Sequence, residues 1–223
     1  MTRATVPRWL SALEALRPCP ETVEWCRGLP ARTSLAAAWR RCDRGEWLLW
    51  LVVRTLDAPP WGEERKPLVR AVARCARLAL PVYEARHPGD GRVRRCLDLA
   101  EAWTRGEATP EQVVQAYVAT FAAASICPPA SANADAVAVL SVFALAGDDT
   151  ADAFIAGFAA TSIATAIASA AASPSVYAST IICSIRPRVL RECAEIVRGV
   201  FPTPPPHVYQ ALGMRAPRPR GAP

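Results

Sequence analysis

An all-α fold is what this sequence predicts: a single multi-helix domain of stacked helical hairpins, about 8–10 helices at ordinary helix length. Three observations carry the prediction. Hydrophobic residues make up 52% of the 223 residues, and the dominant types, Ala and Leu, are strong helix formers. Apolar side chains recur at three- and four-residue spacing in one segment after another, while the two-residue alternation of strands is almost absent. Proline and glycine fall between these segments, where helices start and stop.

Pro7 and Pro20 each stand where a first helical turn begins, ahead of WLSALEAL and ETVEWC. Residues 33–42 and 44–56 read as two helices parted at Asp43-Arg44-Gly45, and EWLLWLVV in the second is apolar on every side, which places it centrally. Leu68, Val72, Cys75, Ala76 and Ala79 form one helical stripe, and Val93, Cys96, Leu97, Ala100 and Trp103 form the next, which ends at Gly106. Thr109-Pro110-Glu111-Gln112 has the residues of a capping box: an N-cap Thr, Pro at the first helical position and Gln at the third. Ala-rich helices are expected over 110–126, 132–146, 150–172 and 175–185. A last amphipathic helix is expected from Pro187, with Val189, Cys193, Ile196, Val197 and Val200 buried and Arg191 placed to pair with Glu195.

The helical domain is expected over residues 4–201. From Pro202 onward, seven prolines and three arginines in 22 residues predict a flexible Pro/Arg-rich tail over 202–223. All seven tryptophans lie in the first 103 residues, so a Trp-rich N-terminal half and an Ala-rich C-terminal half pack differently. Charge is uneven as well. The net +6 of the chain combines +7 over residues 1–106, −6 over 107–185 and +5 over 186–223. Either the acidic middle steers a basic partner, or that segment is buried and carries no solubilising cations.

The eight cysteines include no C-x-x-C pair, so neither a zinc site nor a redox dithiol is signalled. Cys75, Cys96 and Cys193 fall on apolar stripes, where a free thiol behaves as a small hydrophobe. With no signal-peptide pattern at the N-terminus, a cytoplasmic location is expected. Residues 153–185 lack charge entirely but are mostly Ala, Ser and Thr and contain Pro174, which favours a buried hairpin over a membrane span.

One motif suggests metal chemistry. Asp148, Asp149 and Asp152 form a D-D-x-x-D run of the kind that holds Mg²⁺ and a diphosphate in isoprenoid-type enzymes. The cluster also reads as a helix start: Gly147 ends one helix, Asp149 caps the next, and Asp152 faces the positive helix end. The second reading is preferred, because no second metal motif exists. His87 and His207 have no metal or nucleophile partner at helical spacing. Phosphate loops and nucleotide-binding glycine motifs are absent, so no catalytic residue and no cofactor is assigned and a binding protein is expected. Arg65, Lys66, Arg70, Arg74 and Arg77, with Arg92, Arg94 and Arg95, would make a basic stripe for a nucleic-acid-binding regulator, though interspersed acids also fit an ordinary solvated face.

The segment Ala38-Trp39-Arg40-Arg41-Cys42-Asp43-Arg44-Gly45-Glu46-Trp47-Leu48-Leu49-Trp50-Leu51 resembles the A-W-x-x-C-x-x-G-x-W-x-L-W-L signature of the Imm-5-like family of bacterial putative immunity proteins. Cys75-Ala76-Arg77-Leu78-Ala79-Leu80, Ala100-Glu101-Ala102-Trp103-Thr104-Arg105-Gly106-Glu107-Ala108 and the closing helix from Val189 to Pro202 are similar too, so the resemblance spans most of residues 33–202. The chain departs from the family in its Pro-rich basic tail and in having less Ala over 131–147. The resemblance implies a protein that binds and neutralises a toxin without catalysis, and identifies no contact surface. Physically the motif residues Trp39, Cys42, Gly45, Trp47, Trp50, Arg77, Glu101, Trp103 and Gly106 read as scaffold. Gly45 and Gly106 suit left-handed turns. Arg77 and Glu101 are either a partly buried pair joining two helices or two independent surface charges.

Overall fold

The computed structural model describes residues 6–124 and 178–217. They form ten α-helices and a short 3-10 turn, with no strand among the described residues. In order these are α1 (Leu10–Ala15), α2 (Pro20–Arg27), α3 (Leu35–Arg41), α4 (Gly45–Thr55), the 3-10 turn Glu63–Arg65, α5 (Lys66–Ala76), α6 (Leu80–Arg86), α7 (Arg92–Thr104), α8 (Pro110–Ala124), α9 (Ala178–Val200) and α10 (Pro206–Ala211).

Local chemistry sets most of the boundaries. Pro20 opens α2 at a position that has no hydrogen bond to lose, and Glu21 and Arg27 match the helix dipole at its two ends. The Ser34 hydroxyl accepts from the Ala37 amide at 3.2 Å, so α3 begins at Leu35. The capping box at α8 is reciprocal: Thr109 N–H donates to Gln112 Oε1 at 2.8 Å, and Gln112 N–H donates to Thr109 Oγ1 at 3.4 Å. Gly106 (φ +78°) ends α7 in a Schellman motif. Its N–H reaches the Trp103 carbonyl, and Glu107 N–H reaches the carbonyl of Ala102.

The core is built where α4, α5 and α9 meet, with α7 packed on α5, α8 on α7 and α10 on α4. Leu49, Val69, Ala71, Val72, Cys75, Leu97, Cys193 and Val197 are fully excluded from solvent. Burying a Val or Leu side chain contributes roughly 1.5–3 kcal/mol, so this junction dominates the apolar stabilisation. Gly45 decides how close α4 and α9 come. A Cβ there would lie 2.5 Å from Cys193 Cβ, 2.8 Å from Ala194 N and 2.9 Å from Cys193 C. Gly45 is therefore not the left-handed turn residue expected of it. It is the first residue of α4, and its hydrogen side chain admits the backbone of another helix.

Three further expectations need correction. Pro187 does not start the last helix but lies inside α9. Its ring costs one intrahelical hydrogen bond, which the packing of Val189, Leu190, Cys193, Ala194 and Val197 into the core outweighs. Arg191 does not pair with Glu195; it reaches Asp43 at 3.2 Å, tying α9 to the α3–α4 turn. The stretch from Pro202 is not wholly a flexible tail. Pro206 opens α10, and Val208, Tyr209 and Leu212, at 0%, 4% and 4% exposure, join the core. Leu212 lies three and four residues after Tyr209 and Val208, a short helical pattern that a proline-rich composition hides.

The expected helices at 132–146 and 150–172 fall outside the described residues. So does most of the uncharged stretch 153–185, whose last residues enter α9. Among the described residues no helix is long and apolar enough to cross a membrane.

Gly45→Ala is expected to cost roughly 2–3 kcal/mol through overpacking, because backbone atoms stand in the way. Gly106→Ala, with open space but a positive φ, should cost about 1–2 kcal/mol. Urea unfolding of the two variants checks the order, and a larger loss at Gly106 would refute the close-approach role of Gly45. Burial holds the His207 imidazole below its ordinary pKa of 6.5, against a smaller opposing push from the Val52 backbone, and its buried Nε2 has no partner. Below pH 6.5 this imidazole therefore takes up a proton more readily in the unfolded chain than in the folded one, so its contribution lowers stability as the pH is lowered. Urea midpoints at about pH 7.5 and about pH 5.5 should differ in that direction, and His207→Gln should shrink the difference.

Candidate functional site

The signature segment 38–51 folds as the end of α3, a tight turn and the first seven residues of α4. Its inner side holds α9 in place. Trp39, 2% exposed, donates its indole N–H to the Phe201 carbonyl at 2.9 Å. Arg198 donates to the Cys42 carbonyl at 2.5 Å. Burial pushes the Cys42 thiol up to about 12 and the Cys96 thiol to about 12, and Cys26 to about 11. These thiols stay protonated at neutral pH and act as packing groups.

Its outer side opens a cleft between α1, α2, α3 and α4. Trp9, Trp25, Trp39, Trp47 and Trp50 form much of its wall, together with Leu13, Leu48 and Leu51. Trp47 and Trp50 are half-buried, as is Trp25. Trp25 and Trp47 meet at 5.9 Å between ring centroids, and the Arg44 guanidinium lies 4.4 Å above the Trp47 ring. Beneath it Glu46, which sequence reasoning left unassigned, is 6% exposed. Glu46 Oε1 accepts from Arg44 Nε, while Oε2 has no protein partner. The cleft volume is about 40 Å³. One water needs about 10–15 Å³ by the same measure, so the space takes one side-chain tip.

The other motif residues lie on the α5–α7 face. Arg77 and Glu101 are a pair, as one of the two expectations had it. Arg77 Nε and Nη2 donate to the two Glu101 oxygens at 2.9 and 3.0 Å, and Nη2 also reaches Asp98 at 2.6 Å. The Glu101 carboxylate, ahead of Asp98, raises the Arg77 pKa further above the ordinary range. Trp103 is 4% exposed and meets Trp61 edge-on at 5.1 Å.

The basic stripe expected for nucleic acid is broken up. Arg65 is 7% exposed and donates to the carbonyls of Ala58 and Pro59. Lys66 pairs with Glu63, Arg77 with Asp98 and Glu101, Arg92 with Asp90, and Arg94 with Glu84. The interspersed acids are thus direct partners, a signal the i,i+3 spacing of Glu63 and Lys66 carried in the sequence. Asp148, Asp149 and Asp152 lie outside the described residues. Among the described residues no three His, Cys, Asp or Glu side chains gather as a metal site.

Residues 61–147 match the family model of the Imm-5 like putative immunity proteins. That stretch is Imm-5-like. It contains Arg77, Glu101, Trp103 and Gly106, whereas the signature at 38–51 and the closing helix lie beyond it. No curated protein and no solved structure gives a significant match. The Imm-5-like segment supplies α5, α7 and α8, the platform on which α4 and α9 rest.

A double-mutant cycle over Arg77→Ala and Glu101→Ala should give a coupling of about 0.5–1 kcal/mol, since the pair is partly solvated. The coupling should shrink in concentrated salt. A coupling indistinguishable from zero in dilute buffer would return these residues to independent surface charges.

Proposed function

We propose that the chain is an immunity protein that binds a protein partner, a toxin, and neutralises it by stoichiometric occlusion of a surface, without covalent chemistry, in the cytoplasm. The family match over residues 61–147 carries this reading. The arrangement around it fits: a packed helical body in which half of the basic side chains on α5 and α7, Lys66, Arg92 and Arg94, are paired with acids, and a tryptophan-walled cleft that opens beside α4. Recognition by burial of aromatic anchors in a small pocket needs no catalytic group. The nucleic-acid alternative loses its main support, because a phosphate-tracking stripe needs free cations in a row and five of the eight named residues are buried or paired.

Co-expression with a toxin-like protein from the neighbouring gene is the test. The expected results are restored growth and a complex of fixed stoichiometry by light scattering. Growth arrest that persists at full expression of the folded chain would overturn the reading.

A further inference from the structure

The tryptophan-walled cleft differs from buried core in how its polar atoms are used. Trp9 and Trp39 give their indole N–H groups to the carbonyls of Thr33 and Phe201, each at 2.9 Å. Trp25, Trp47 and Trp50 are half-buried, and among the described residues their N–H groups have no acceptor. An indole nitrogen can only donate, and so can a guanidinium. The Arg44 guanidinium stacked on Trp47 keeps one N–H for Glu46. The cleft therefore carries three unused indole donors, with the Arg44 guanidinium beside Trp47, while its wall is almost wholly apolar.

The segment that carries the cleft is basic. Residues 6–56 carry eight arginines against five acidic residues. Glu14, Glu46 and Asp43 are taken up by Arg27, Arg44 and Arg191. Arg8, Arg17, Arg32, Arg40 and Arg41 have no ion-pair partner among the described residues, against two acids in the same position, Glu21 and Glu24 beside Trp25 on α2, so the unpaired charge of the segment is net positive. Tryptophan and arginine around a small desolvated pocket is the composition of an interface hot spot.

We propose that this cleft seats the tip of one apolar side chain of the protein partner, flanked in the partner by Asp or Glu. The apolar wall takes the side chain, and the indole and guanidinium donors take the neighbouring carboxylates. A volume of about 40 Å³ admits one side-chain tip and excludes a cofactor-sized molecule. The proposal rests on the neutralisation reading above and names its contact site and the chemistry of the partner.

Short random peptides displayed on phage, selected against the immobilised full chain, supply a probe independent of any toxin. The recovered pool should be enriched in a Leu, Ile, Met or Phe beside Asp or Glu. Its retention should fall about tenfold or more on Trp50→Ser, and likewise on Thr22→Leu, which fills the cleft from α2. Retention should be unchanged on Arg94→Glu, whose partner is Glu84 on α6. Circular dichroism and thermal unfolding establish that each variant is folded, and Trp25→Ser at the same mouth replaces either that is not. A pool without the acidic-apolar pattern, or one held equally well by the folded cleft variants, overturns the proposal. In the co-expression assay, cleft variants that protect as well as the unaltered chain overturn the cleft and leave neutralisation standing. An unaltered chain that fails to protect overturns neutralisation, and the peptide selection then decides the binding chemistry of the cleft alone.

Discussion

The contact between Gly45 and Cys193 constrains everything built around it. Two helices can bring backbone against backbone only where one of them lacks a Cβ, and the first residue of α4 meets that condition. Once α4 and α9 are that close, Leu49 and Val52 on one side and Ala194 and Val197 on the other are sealed from water. Asp43 and Arg191 bridge the same junction across 148 residues of chain. Closing so long a loop costs only about 0.6 kcal/mol more per doubling of its length. The apolar burial at the junction is much larger, so a distant pairing can dominate the fold.

The same junction explains why residues 202–217 are structured. Trp39 needs an acceptor for its indole N–H, and the Phe201 carbonyl, just past α9, supplies it. That bond turns the chain back over α4, where α10 covers the face around Val52 with Val208, Tyr209 and Leu212. The N-terminal helices are thus completed by the C-terminal ones. The hydrophobic cluster continues past residue 201 to Val208, Tyr209 and Leu212.

What the sequence made legible was what depends on neighbours in sequence. The α8 capping box, the α7 stop at Gly106 and the burial of α4 all follow from local rules: donors needing acceptors, a left-handed residue needing glycine, an all-round apolar helix needing a core. The misreadings share one cause. Local rules misplace Gly45, Pro187 and Arg191 because each has its position set by a contact with a distant part of the chain. Gly45 lies against Cys193, Pro187 is carried within a helix that the core holds, and Arg191 reaches Asp43. Glycine has two uses, turning and close approach, and the sequence alone does not say which one applies.

The signature tryptophans divide along the same line. Trp39 has its ring in the core and its N–H satisfied within the protein, so its role is complete when the chain folds. Trp47 and Trp50 follow in the same motif, only a few residues on, with rings half exposed and N–H groups unused. Large rings left at the surface give up part of the hydrophobic stabilisation that full burial would provide. A fold needing them only for stability gains more by covering them. Helix α4 instead turns one side to α9 and presents its tryptophans on the other, so one helix apolar on both sides seals the core and shapes the cleft. Helix α5, itself backed by α7, packs against α4, and a binding pocket shaped before its partner arrives loses less entropy on association.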